Sequence, residues 1–288
     1  RETHYIKQGE TRRVEFKNYP YGEDGRLNMH RPYIDDILLR CECGGDMKRI
    51  LEVFDCWFES GSMPYGQHHY MGKPLEGFNP EKESGFPSDF IAEGLDQTRG
   101  WFYSLHVLAA NLFKKPAYKH VVVNGIILAE DGQKMSKRLK NYPDPIEVLA
   151  RYGADALRLY MLSSPVVYAE DFNFSEKGVD EVYKKVILRL LNVVSFYEQY
   201  PVLEKQAEVR FDDSLHVLDK YILVELARTK ETIEKALDEY QLQHASRALA
   251  DFIDTLSTSY LQYSRDRFKE DHPWHAEARG VLRHVLTE

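Results

Sequence analysis

Cysteine is scarce in this chain. Three residues in 288, Cys41, Cys43 and Cys56, exclude a disulfide framework and fit a reducing compartment. Long hydrophobic runs are missing as well: nothing approaches the roughly 20 apolar residues that a membrane-spanning helix requires. The chain opens on Arg1-Glu2-Thr3-His4 rather than on a basic-then-apolar export signal. These absences lead us to expect a soluble, intracellular protein of the cytoplasm with no membrane partner. Positive charge is not in excess either. The formal net charge is -8, so no global field announces a nucleic acid, although a local basic face under an acidic average is compatible with one. No repeat or low-complexity segment stands out. The polar opening without an initiator Met suggests a chain cut from something longer.

What is present is enough apolar material, 43% of residues, to bury a sizeable core, in a chain longer than one compact domain usually is. Residues 1–50 are irregular and polar, with turn chemistry at Tyr19-Pro20-Tyr21-Gly22 and Glu23-Asp24-Gly25 and a knuckle at Cys41-Glu42-Cys43-Gly44-Gly45. They read as a linker or insertion boundary. The knuckle is half of a zinc pattern, but a structural zinc takes four ligands and only Cys56 and scattered histidines remain, so no metal site is expected.

Residues 51–165 change character. Phe90-Ile91-Ala92 is a short apolar run, Asp96 to Phe113 is a helical stretch that Asp96 could cap, and Val121-Val122-Val123 with Ile126-Ile127-Leu128 is β-branched. Strand, helix and strand make a βαβ unit with parallel strands, in an α/β domain. Residues 166–288 read as helical. Val186, Leu190, Val194 and Tyr197 form one stripe, Leu215, Leu218, Ile222, Leu226, Ile233 and Leu237 another, and Ala245 to Tyr263 a third, which predicts an all-α bundle.

Two segments carry chemistry. From Gly125 the chain runs through a Gly-bearing turn into Lys134-Met135-Ser136-Lys137-Arg138. Three cations within five residues supply flexible positive charge of the kind that phosphoryl chemistry needs as charge grows on a leaving pyrophosphate. The wording resembles the KMSKS signature of class I aminoacyl-tRNA synthetases, with Arg at the final position as in isoleucyl-type members. That resemblance implies that Lys137 contacts the ATP phosphates with Lys134 in support, both acting catalytically, and that Met135 and Ser136 lie beside ATP. Asp89 to Phe102 reads as a strand end, a glycine turn and a helix start, where ligands of open α/β sheets bind. It is similar to the segment with which isoleucyl-type members hold the aminoacyl-adenylate, which assigns Glu93 to the adenylate with Gly94, Asp96 and Gln97 as neighbours.

The stretch Asp55-Cys56-Trp57-Phe58-Glu59-Ser60-Gly61 and on to Gln67 resembles the segment that precedes it in the same enzymes, which makes Trp57 and Trp101 the aromatic walls of the amino-acid pocket. A rigid apolar slot suits a branched aliphatic side chain, and because one methylene is worth only about 1–3 kcal/mol, such enzymes carry a separate editing domain. None is visible here. Tyr152 to Tyr160 resembles the family's stem-contact region and Leu218 to Leu223 the opening of its anticodon-binding helices, whereas Ser259 to Arg265 departs from a stretch usually richer in Trp and Arg. Lys184, Lys185 and Arg189 form a basic stripe that is either a phosphate contact or a solvated face.

The resemblance implies the C-terminal half of a Rossmann-type nucleotide-binding domain followed by a helical bundle. It also implies ATP as substrate with Mg2+, isoleucine and tRNA(Ile) as partners, and a monomer. No His-x-Gly-His sequence occurs, although class I synthetases need it, so the chain alone is expected to be inactive. Valyl or leucyl specificity, or a catalytically silent module that binds RNA or protein, are the alternatives.

Overall fold

The computed structural model describes residues 21–26, 28, 30, 31, 33–35, 38–41, 43–136, 138–200 and 215–288. The chain divides into two compact units, Arg1–Ser60 and Gly61–Glu288.

In the first unit β1 (Leu38–Arg40) and β2 (Asp46–Lys48) pair antiparallel. The cysteine knuckle is the turn between them. The Cys41 amide donates to the Gly45 carbonyl at 2.9 Å and the Gly44 amide to the Cys41 carbonyl at 2.9 Å. Gly44 has φ of +85°, which only glycine adopts without strain. Asp35 lies between the guanidinium groups of Arg49 (2.7 Å) and Arg31 (3.3 Å), and the Arg49 hydrogen bond above all holds its carboxyl below the usual carboxylate range. At the end of the unit α1 (Cys56–Gly61) begins. Asp55 Oδ1 caps it by accepting from the amides of Trp57 (2.9 Å) and Phe58 (3.1 Å).

The second unit opens with α2 (Met63–Gly66) and then the βαβ unit read from the sequence: β3 (Ser88–Gly94), α3 (Trp101–Phe113) and β4 (Tyr118–Asn124). The strands are parallel, with Ile91 opposite Val121 and Glu93 opposite Val123. Phe102, Leu105 and Ala109 put one face of α3 into a core with Phe78, Phe86 and Ile91, the three-and-four spacing of an amphipathic helix. Gly61 packs on that helix so closely that a Cβ there would lie 2.9 Å from the Ser104 carbonyl carbon.

The apolar run after β4 is not one strand. Gly125 interrupts it: its amide donates to the Val166 carbonyl at 2.7 Å, and a Cβ would fall 1.9 Å from the Glu170 oxygen. Only then does β5 (Ile127–Leu128) form, parallel to β6 (Phe172–Asn173). Between them lies α4 (Pro145–Leu162), whose N-cap Asp144 accepts from the Ile146 amide at 2.8 Å and which kinks at Gly153, where φ is +81°.

Helices follow: α5 (Glu176–Val182), a π turn at Tyr183–Ile187, α6 (Leu188–Glu198), α7 (Val217–Asp238), α8 (Leu242–Thr255), a π turn at Leu256–Leu261, α9 (Gln262–Ser264) and α10 (His275–Thr287). From α6 onward they share a core that contains Val193, Ile222, Leu256, Tyr260, Phe268, Val281 and Leu282, whereas Val179 of α5 packs with Val148 and Ala156 of α4. Two stripe expectations are corrected. Val193, seven residues after Val186 and so on the same helical face, is fully buried rather than Val194, and Leu237 at the end of α7 is 49% exposed. Among the described residues no helix is long and apolar enough to cross a membrane.

Candidate functional site

Because β3 and β4 run parallel, their carboxyl ends lie at one edge, with Glu93-Gly94 beside Val123-Asn124. Beyond Gly94 the chain does not enter an α-helix directly. A 3-10 turn, Leu95–Arg99, comes first, and Gly100 (φ -137°, ψ -113°) separates it from α3. Asp96 therefore does not cap the helix, contrary to the sequence reading. Gln97 does that work: its Oε1 accepts from the Trp101 amide at 2.9 Å, and its Nε2 reaches Asp96 at 3.4 Å.

This connection brings Glu93, Gly94, Asp96 and Gln97 together, with the Glu93 and Asp96 carboxylates in solvent. A Cβ at Gly94 would press on the Asp96 carboxylate at 2.7 Å. Gln97, bound to the backbone, is the least free of the four to meet a ligand. Trp101 begins α3 half-buried against the aromatic core of that helix. Trp57 lies on α1 in the first unit and is 45% exposed.

The chain leaving β4 becomes the cationic loop. Leu128 bridges Lys134, the Ala129 amide donates to Gln133 at 2.8 Å, and Gly132 turns the corner at φ +79°. The segment from Lys134 onward is then drawn into a narrow-necked loop by Asn141. Asn141 Oδ1 accepts from the Ser136 amide at 2.9 Å, while its Nδ2 donates to the Lys134 carbonyl at 3.2 Å. The amides of Leu139 (3.1 Å) and Lys140 (3.0 Å) close on the Ser136 carbonyl. Lys134, Arg138 and Lys140 are exposed, Ser136 is half-buried, and Lys137 lies outside the described residues.

Met135 faces the other way. With Ile127, Tyr142, Val148, Leu157 and Phe174 it lines an apolar cavity of about 240 Å³. Lys134, Arg138 and Lys140 thus face solvent while a thioether anchors the neck of the loop.

Sequence reasoning missed Asn141. The available signal was its place two residues before Pro143, since Asn favours turns by bonding nearby backbone. Asn141→Ala removes both ties across the neck. Two neutral hydrogen bonds are worth about 1–3 kcal/mol together, so amide exchange over residues 134–141 should quicken roughly tenfold or more, with global stability little changed. Unaltered exchange in that segment would show that the amide does not hold the loop.

The basic stripe is paired with acids of the helical part. Lys184 pairs with Asp180 at 2.7 Å, Lys185 with Glu181 at 2.9 Å, and Arg189 with Asp254, so each cation already has a carboxylate. In the knuckle both Cys41 and Cys43 are free thiols. The Gly45 backbone and then the Cys41 side chain hold the Cys43 thiol below its ordinary range. Among the described residues no group of three or more His, Cys, Asp or Glu gathers as a metal site.

Two family models match this chain. The model described as tRNA synthetases class I (I, L, M and V) covers residues 4–175, and that described as the anticodon-binding domain of tRNA ligase covers residues 219–288. The isoleucine–tRNA ligase of Protochlamydia amoebophila is 47% identical over 264 residues, 91% of this chain and 25% of that protein. That of Chlamydia muridarum is 48% identical over 263 residues, 90% of this chain and 25% of that protein. The chain therefore spans about a quarter of the length of the curated relatives it matches. Among solved structures, the LeuRS of Agrobacterium radiobacter K84, crystallised as a ternary LeuRS-tRNA-LeuAMS complex, superposes with a TM-score of 0.60 at 19% identity, covering 87% of this chain and 32% of that one. That likeness is one of fold.

Proposed function

Given that this chain belongs to the class I tRNA synthetases, we propose that it is the part of an isoleucine–tRNA ligase that carries the second half of the catalytic domain and the start of the tRNA-binding helices. The observation that carries this reading is the common edge of β3 and β4, where the Glu93 segment ends one strand and the chain toward the lysine loop leaves the other. Ligands of open α/β sheets bind at such carboxyl edges. Relatives 47% and 48% identical that are isoleucine–tRNA ligases support the choice of amino acid.

On this reading β3, α3 and β4 belong to a Rossmann-type nucleotide-binding fold within residues 51–165, after a boundary segment at 1–50, and residues 166–288 form the stem-contact and anticodon-side helices. Isoleucine's carboxylate attacks the α-phosphate of ATP, which enters as its Mg2+ complex. The aminoacyl group then passes to the terminal ribose of tRNA(Ile). Lys137, supported by Lys134, stabilises charge on the departing pyrophosphate electrostatically, with the backbone of Met135 and Ser136 beside the nucleotide, the Met135 thioether staying in its apolar cavity, and no covalent enzyme intermediate. Glu93 and Gly94 hold the adenylate, with Asp96 and Gln97 around them. Trp101 supplies an apolar wall for the side chain, and Trp57 keeps the pocket role that the resemblance gives it. The enzyme works as a monomer in the cytoplasm.

The 288-residue chain contains no His-x-Gly-His sequence and should by itself show no isoleucine-dependent pyrophosphate exchange. Exchange above background would overturn the division of labour. For the full-length protein, aminoacylation assayed with isoleucine, valine and leucine separates the specificities; charging with valine or leucine in preference to isoleucine would reassign the substrate.

A further inference from the structure

Tyr240 sits at the turn between α7 and α8, one residue beyond the C-cap Glu239, with φ of +56°. Left-handed backbone at that position normally calls for glycine, because a Cβ there crowds the carbonyl. A bulky aromatic residue in this conformation is a local disadvantage for the hairpin, so the reason for it lies in what the side chain touches. Its ring lies 5.3 Å from that of Phe90 and 4.8 Å from that of His120.

Phe90 and His120 are direct partners across the β3–β4 ladder. Phe90 is 53% exposed, and His120 Nδ1 meets the Asp89 carbonyl at 3.0 Å. The hairpin tip therefore bears on one cross-strand pair, three residues upstream of Glu93. A second grip lies close in sequence: Gln243 Nε2 and Arg247 Nη2 both donate to the carbonyl of Ser163, the C-cap of α4, at 3.2 Å. Parallel strands are ordinarily covered on both faces, and here the hairpin tip is what stands over Phe90 and His120.

We propose that Tyr240 is a positioning residue that fixes the Glu93 end of β3 from the helical bundle, through its stack on Phe90 and His120. The proposal rests on the ligase reading, in that it makes the anticodon-side hairpin a support of the amino-acid side of the site.

Glycine and phenylalanine at position 240 separate this role from a structural one. Tyr240→Gly relieves the left-handed backbone and removes the ring; Tyr240→Phe keeps the ring. In the 288-residue chain, Tyr240→Gly should accelerate hydrogen exchange in residues 88–94 and 118–124 about tenfold, a typical coupling between sites, while exchange in α8 and α10 stays as it was and Tyr240→Phe matches the parent. Unchanged exchange in the two strands would overturn the proposal. In the full-length ligase, Tyr240→Gly should raise the KM for isoleucine in pyrophosphate exchange about tenfold with kcat within about twofold, and Tyr240→Phe should restore it. A fall in kcat at unchanged KM, tracking the folded fraction, would reduce Tyr240 to a structural residue. If the unaltered full-length protein fails to activate isoleucine, the ligase reading falls, and the strand exchange measurement still decides whether the stack holds β3.

Discussion

Replacing Arg267 by Ala is expected to destabilise the helical bundle by about 3–5 kcal/mol, the usual consequence of stranding one member of a buried ion pair. Asp219 is 0% exposed and Arg267 5%. The guanidinium meets both carboxylate oxygens, with Nη1 on Oδ1 at 3.0 Å and Nη2 on Oδ2. The Tyr260 hydroxyl donates to Oδ1 at 2.8 Å. Burial, reinforced by the Asp219 charge, pushes that phenol far above its ordinary range.

Glu277 is drawn into the same network, accepting from the His216 amide at 2.9 Å, and burial raises its carboxyl pKa. Without Arg267 the Asp219 carboxylate loses the guanidinium that pairs with it. The double change Asp219→Leu with Arg267→Met removes both charges and should cost markedly less, because a buried pair replaced by packed apolar groups is often neutral. Urea unfolding of the 288-residue chain reads both variants. A loss under about 1 kcal/mol for Arg267→Ala, the scale of a surface pair, would mean that the network is solvated.

The largest catalytic effect is expected at the loop. Lys137→Ala in the full-length ligase should lower kcat for isoleucine-dependent pyrophosphate exchange by about 10²–10³-fold, the scale seen when one preorganised transition-state contact is removed. On the proposed function the KM for isoleucine should move little, because the lysine would act on charge that grows only as pyrophosphate departs. Asn141 and Met135 hold the neck of the loop that carries this lysine, the first by hydrogen bonds to Ser136 and Lys134 and the second in the apolar cavity. Unchanged activation in Lys137→Ala would remove the role.

The sequence made the βαβ unit and the helical second half legible because both rest on periodicity. A β-branched run at Val121 to Val123 and an apolar face at Phe102, Leu105 and Ala109 have few other ways to fold. Features that depend on side-chain hydrogen bonds over distance were hidden. The start of α3 depends on Gln97 accepting one amide, so the nearer candidate, Asp96, looked like the cap. Asp219, in the first turn of α7, is buried because Arg267, 48 positions away, meets it.

Helix α10 escaped notice for a related reason. Its buried Ala278, Val281 and Leu282 share the interior with His275 and Arg279, so charged letters break the apolar stripe. At the site, the strand end at Glu93 and the loop at Lys134 stand out by wording, whereas Asn141 and Tyr240 act through contacts that no local pattern announces.

Closure of the lysine loop on a nucleotide lying beside Glu93 is the step on which the proposed function rests. It is tested most directly by a crystal structure of the full-length protein with a non-hydrolysable isoleucyl-adenylate analogue. The analogue is expected at the carboxyl edge of β3 and β4, with Glu93 and Gly94 against it, Trp101 beside the isoleucine side chain and residues 134–138 drawn over the phosphate end. An analogue bound elsewhere, with Glu93 and the loop left in solvent, would contradict it.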